Sequence, residues 1–327
     1  MSVLVIGAAG FVGSHLVKKL EALGHRVCGM DIDSVRAKQV LPSNVPFYGY
    51  DFGTQSSLQN VFRQENVEMV IQCAGKSIVE HSVADPMAYY TNNVLCNVFL
   101  LDTLLKSNIG KIVYVSSATV FGEVEKMPIT QQTIRNPINP LGNAQLFVEN
   151  ILESFRISHG LTYAIIRASN IVGMGEVENE YFIQNPGTGL IPNLLRYVLG
   201  QIDAVNIFGT SYDTIDLTAE RDYIHVDDFC SACVNVIPKL SVRGEGMAYN
   251  VGSGKKYSVR EVITTVEQLF GITIKTVEGP SRIGDPSRLY FDINRARNEL
   301  EWSPKYDSLE LILKTMLPYY LAHQQNR

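Results

Sequence analysis

Seven residues near the N-terminus constrain the fold most. Gly7-Ala8-Ala9-Gly10-Phe11-Val12-Gly13 separates an apolar run, SVLVI, from an amphipathic stretch over about residues 12–23. Glycines in this G-x-x-G-x-x-G pattern permit a tight turn, close backbone approach to a pyrophosphate, and tight packing of helix on strand. The phosphates then meet the free N–H groups of the helix start. The next apolar run, HRVCGMD, ends at Asp31, 18 residues beyond Gly13. A carboxylate there reaches the adenine ribose hydroxyls and repels a 2′-phosphate, so the expected cofactor is NAD and not NADP. Its lining is expected to be Gly7, Gly10, Phe11, Val12, Gly13, Asp31 and Ile32. Asp51 and Phe52 follow another short apolar stretch, and Cys73-Ala74-Gly75 ends a further strand; both are placed to add to it.

The runs VEMVIQCAG, KIVYVSS and LTYAIIRASNIVG continue the alternation of buried strands with helical patterns. Continuous apolar strands separated by helices predict a parallel sheet covered on both faces. The fold class is thus α/β: a Rossmann doubly wound parallel sheet with a smaller α/β substrate-binding lobe. Long helical patterns run over about residues 86–107 and 140–158, each opening on proline, which suits a first helical turn. The character changes after about Asn170. The expected division is an NAD-binding domain over 1–170 and a mainly substrate-binding lobe over 171–327, with segments returning to the sheet.

The net charge of −5 is spread without a basic stripe, which argues against nucleic acid as a partner. The five cysteines are odd in number and scattered. They fit a reducing compartment, and Cys230-x-x-Cys233 reads as two small core residues, not a metal or redox pair. The N-terminal apolar run lacks a basic flank and is broken at once by glycines. No stretch reaches the ~20 apolar residues of a membrane span. A cytoplasmic protein without a metal centre or a membrane partner is expected.

Further motifs carry a family resemblance over nearly the whole chain. YYTNNV at Tyr89 to Val94, SSATVFG at Ser116 to Gly122, RDYIHVDD at Arg221 to Asp228, YNVGSG at Tyr249 to Gly254 and RIGDP at Arg282 to Pro286 follow GAAGFVGSHLV in order. The chain resembles extended short-chain dehydrogenase/reductases of the NAD-dependent epimerase/dehydratase family, closest to the UDP-glucose 4-epimerase group. The resemblance implies a Ser with a Tyr-x-x-x-Lys pair. The Tyr is the base toward a sugar hydroxyl; the Lys lowers its pKa and holds the nicotinamide ribose. Ser117 matches the Ser, but NPLGNAQLFVEN places Leu141 at the Tyr position and Gln145 at the Lys position. Leu has no proton to exchange. Gln is neutral, although it can still hydrogen-bond a ribose.

Ser77-Ile78-Val79-Glu80-His81, after the strand ending near Cys73, borders the sugar in the resembling family. It offers Glu80 and His81 as substitute acid or base beside Ser117, with the alternative that Glu80 merely opens a helix. Tyr114 reads as core, and His225 as a structural hydrogen-bonding residue. The resemblance further implies Asn92, Ser116 and Gln145 as cofactor contacts. It implies Ser77, Asn170, Ile191, Asn206, Phe208, Arg221, Arg282 and Asp285 as contacts to a nucleoside-diphosphate sugar, the two arginines gripping the diphosphate. The two long helices resemble the pair that joins family dimers, so a homodimer is expected. Three functions stay open: an NAD-dependent epimerase or dehydratase with an altered acid/base set, a non-catalytic relative binding the same ligands, and an enzyme on a non-sugar substrate.

Overall fold

The computed structural model describes residues 1–175 and 189–319. Strands β1 (Ser2–Ile6), β2 (Arg26–Met30), β3 (Phe47–Tyr48), β4 (Met69–Gln72), β5 (Lys111–Ser117) and β6 (Thr162–Ala168) join the Gly246–Val251 strand in one seven-stranded sheet. Its order is Gly246–Val251, β6, β5, β4, β1, β2, β3, and every neighbouring pair is parallel. The order reverses between β1 and β4, which opens a crevice beyond the carboxyl ends of these two strands, where ligands of such sheets bind.

All residues of β1, β4 and β6 are buried, as expected for strands covered on both faces. Helix α1 (Phe11–Ala22) covers one face through Leu16, Val17 and Leu20, with Phe229 of the Val226–Asn235 helix in the same core. Leu58, Leu100, Leu104 and Val148, from three other helices, cover the opposite face. Cys230 and Cys233 are wholly buried, and burial pushes both thiols well above their ordinary range. A separate core, including Leu194, Val262 and Ile312, fills the second lobe. His225 is buried, its Nδ1 accepting from the Asp227 N–H at 3.1 Å to cap the Val226–Asn235 helix.

The helical pattern expected over 86–107 is not one uniform helix. Pro86–Tyr89 and Cys96–Lys106 are α-helical, but Tyr90–Leu95 between them is a π turn. Such a turn rotates the residues beyond it about the helix axis.

Candidate active site

Gly7 has φ +86°, and a Cβ on it would lie 2.7 Å from the Ala74 backbone nitrogen. A Cβ on Gly13 would lie 1.9 Å from the Gly7 carbonyl oxygen. Only glycine allows this approach of α1 to β1. Asp31, at the end of β2, accepts from the Ala9 N–H at 3.1 Å and so stands directly beside the loop. Turn, helix start and carboxylate together have the shape and polarity a dinucleotide pyrophosphate and its ribose require. Ile32 is exposed beside Asp31, and Asp51 accepts from the Gly53 N–H at 2.8 Å. Phe11 and Val12 are half-buried at the helix start.

The loop after β4 is braced from beneath. The Cys73 thiol donates to the Ile6 carbonyl at 2.9 Å. Gln72 accepts from the Ala74 N–H at 3.0 Å and donates to Asn97 at 3.1 Å. Asn93 accepts from the Lys76 N–H at 2.9 Å and donates to the Lys76 carbonyl at 2.8 Å. The expectation singled out Asn92, which is half-buried on the π turn. It missed Asn93, Asn97 and Gln72, the residues that hold Ala74 and Gly75 at the crevice.

Ser117 ends β5. Its Oγ accepts from the Thr119 N–H at 3.2 Å and the Thr119 hydroxyl at 3.0 Å, leaving its own proton to donate. The Pro140–His159 helix starts against this turn, and a Cβ on Gly142 would lie 2.3 Å from the Thr119 carbonyl oxygen. Asn139 fixes that start by accepting from the Gly142 N–H at 2.7 Å. It also donates to the Gly284 carbonyl at 2.8 Å, tying the helix to the RIGDP turn. Leu141, in the first turn, is 3% exposed and lies among the core residues. One turn on, Gln145 Oε1 accepts from the Tyr114 hydroxyl. Burial, then the nearby Glu149 carboxylate, holds the Tyr114 phenol far above its ordinary pKa, so it is no substitute base.

Three side chains expected at ligands are otherwise engaged. Ile191 is 1% exposed in the second-lobe core, and Phe52 is 6% exposed against the helices over the sheet. Both are apolar enough that burial takes precedence, and only their backbones are left for a ligand. Ser116 donates to the buried Glu149 carboxylate at 2.7 Å. Glu149 also pairs with Arg167 at 2.8 Å and Arg135 at 2.8 Å. Burial opposes its charge, but Arg167, Ser116 and Arg135 hold its pKa below the usual range.

Across the crevice, Arg221 Nη2 donates to Asp285 at 2.6 Å and to the Pro286 carbonyl at 2.7 Å, organising the turn that carries Arg282. Asp222, behind it, accepts from the N–H groups of Ser253 at 2.8 Å and Gly254 at 3.2 Å, a brace for YNVGSG that the motif alone did not reveal. Burial nonetheless raises the Asp222 pKa to about 6. Arg282 lies 3.9 Å above the centre of the Phe208 ring, and its Nε is 3.8 Å from Glu80 Oε2. Asn170 is exposed at the start of its short strand and Asn206 within its own. Ser77 is exposed on the loop after β4, whereas Glu80 and His81 are exposed in the first turn of a short helix, Val79–Ala84, so that Glu80 opens a helix as the alternative reading had it. Among the described residues, no group of three or more His, Cys, Asp or Glu is arranged to hold a metal, and no helix is long and apolar enough to cross a membrane.

A doubly wound parallel sheet, with a glycine turn at the start of α1 and a carboxylate at the end of β2, defines a dinucleotide-binding α/β protein. The chain belongs to the NAD dependent epimerase/dehydratase family, whose model matches residues 3–252. It is 35% identical to UDP-glucose 4-epimerase of Azospirillum brasilense, covering 99% of this chain and 93% of that protein. It is 32% identical to that of Lactobacillus helveticus, covering 99% and 98%. The solved structure of UDP-glucose 4-epimerase from Bifidobacterium longum in complex with NAD+ and UDP superposes with a TM-score of 0.89. The identity is 32%, with 97% of this chain and 98% of that chain covered.

Proposed function

We propose that the protein takes up NAD at Gly7, Gly10, Gly13 and Asp31, and holds a nucleoside-diphosphate sugar with Arg221, Arg282 and Asp285. It acts on that sugar as an isomerase or lyase whose proton transfer uses Glu80 and Ser117 in place of positions 141 and 145. The carrying observation is the 3.8 Å separation of Glu80 and Arg282, because it brings a carboxylate in the first turn of the Val79–Ala84 helix beside the expected diphosphate grip. NAD, when bound, supplies a hydride acceptor. Ser117 donates its free proton to a sugar oxygen, and Glu80 accepts the proton released as that oxygen becomes a carbonyl. Gln145 offers its amide to the nicotinamide ribose, and the Ala74–Gly75 backbone lines the cofactor.

The test is the absorbance of reduced nicotinamide when the NAD-loaded protein meets UDP-glucose and other nucleoside-diphosphate sugars. A signal is expected, and Glu80→Gln is expected to slow it about 10²-fold or more, the lower end of general-base contributions, without loss of UDP affinity. An unchanged rate in Glu80→Gln removes Glu80 from the mechanism. UDP binding without reduced nicotinamide from any sugar favours the non-catalytic reading, for which the buried Leu141 is the supporting observation.

A homodimer is part of the same reading. Met87, Leu95, Phe99, Phe147 and Ile157 are exposed apolar side chains on the two long helical segments, and a second copy would cover them. A monomer by light scattering at micromolar concentration would remove it.

A further inference from the structure

Tyr114 and Gln145 stand on different elements, the middle of β5 and the second turn of the Pro140–His159 helix. Tyr114 is buried in the core over the sheet, where a phenol needs a hydrogen-bond partner, and Gln145 Oε1 is that partner. A glutamine amide has one acceptor oxygen and two N–H donors. With the oxygen occupied by Tyr114, the rotation of the amide is fixed and both donors remain on the side away from the phenol. Gln145 itself is only half-buried. A free glutamine here would sample both amide faces, presenting oxygen to a ribose hydroxyl as readily as nitrogen.

We infer that Tyr114 is a positioning residue: its hydroxyl locks the Gln145 amide so that a neutral donor is presented where the cofactor's nicotinamide ribose is held. This rests on the proposed NAD site. The pair replaces a single cation by a two-residue device. The device supplies directional hydrogen bonds but no positive charge, so it can retain the cofactor without activating an acid beside it.

The experiment titrates NAD and, separately, UDP into the full chain by calorimetry. Wild type, Tyr114→Phe, Gln145→Met, the double variant Tyr114→Phe/Gln145→Met, and Tyr114→Phe/Gln145→Lys are compared, with a melting curve for each. Tyr114→Phe is expected to weaken NAD about three- to tenfold, the size of one neutral hydrogen bond, and to leave UDP unchanged. Gln145→Met should do the same, and the double should be no worse than either single, because both break one unit. Tyr114→Phe/Gln145→Lys should recover NAD affinity, since an ammonium needs no fixed rotation. A purely structural role for Tyr114 would lower the melting temperature and leave NAD affinity at the wild-type value; that result overturns the inference. If Tyr114→Phe does not fold, the Gln145→Met and Gln145→Lys single variants decide. The inference requires Gln145→Met to lose NAD affinity and Gln145→Lys to keep it, and equal affinities in the two overturn it. Wild type that takes up no NAD overturns the proposed cofactor site itself, a different outcome from a wild type that binds NAD with a Tyr114→Phe that binds it equally well.

Discussion

Replacing Leu141 with Tyr and Gln145 with Lys together is expected to raise UDP-glucose 4-epimerisation about 10²- to 10⁴-fold over the unmodified chain, the range of a positioned general acid–base. The surroundings for the pair are in place. Ser117 keeps a proton to donate, Asn139 fixes the start of the helix, and Gly142 seats that start against the Ser117 turn. What positions 141 and 145 themselves lack is a group that can lose a proton and a charge that makes the loss easy. Tyr alone, with an ordinary pKa of about 10, would be almost entirely protonated at neutral pH. Lys alone would have no phenol to act on. Each single variant is therefore expected to gain less than about tenfold, and the gain of the pair to exceed the product of the singles. Leu141 is tightly packed, so the phenol brings an overpacking cost of about 1–3 kcal/mol, seen as a lower melting temperature and not as lost binding. A coupled assay of UDP-galactose conversion reads the outcome. A folded double variant no more active than wild type would mean that the frame around the two positions has also been lost.

Glu149→Leu is expected to destabilise the fold by about 3–5 kcal/mol, the usual cost of stranding one member of a buried ion pair. The charge left behind is Arg167, which is 4% exposed between two strands of the sheet. Glu149 now gives it two contacts, to Nε at 3.0 Å and to Nη2 at 2.8 Å. Arg135 is far more exposed and can turn to water. The double variant Glu149→Leu/Arg167→Met should recover most of the loss, because no charge is then left unpaired. Because the native pKa of Glu149 lies below its unfolded value, its contribution is complete above about pH 4.3 and fades as pH falls through the native pKa. Denaturant titration at pH 7 checks the first statement. A Glu149→Leu midpoint equal to wild type would contradict it.

The readable part of the fold was the part governed by local rules. Gly7, Gly13 and Asp31 were legible because a turn, a close approach and a strand end each demand a residue type at a fixed spacing. The buried strands were legible because a covered sheet leaves continuous apolar runs. Asn93 was not legible because nothing in YYTNNV announces the π turn that carries it or its two bonds to the Lys76 backbone. Ile191 was assigned from the family resemblance and Phe52 from its place after an apolar stretch, but neither says whether an apolar side chain faces ligand or core. The bond between Tyr114 and Gln145 joins residues 31 apart on different elements. Only packing brings them together, so the sequence showed a core tyrosine and a missing lysine without showing that one answers the other. Glu80 was proposed from its loop. Its approach to Arg282, about 200 residues later in the chain, required the fold.

The central claim is that this crevice holds two ligands, a dinucleotide on the glycine side and a nucleoside diphosphate on the arginine side. The direct measurement is calorimetric titration of nucleotide-stripped protein with NAD, then with UDP in the presence of saturating NAD. One NAD and one UDP per chain are expected, with Asp31→Ala weakening the first and Arg221→Ala weakening the second. Protein that is folded by its melting curve and takes up neither compound would contradict the account.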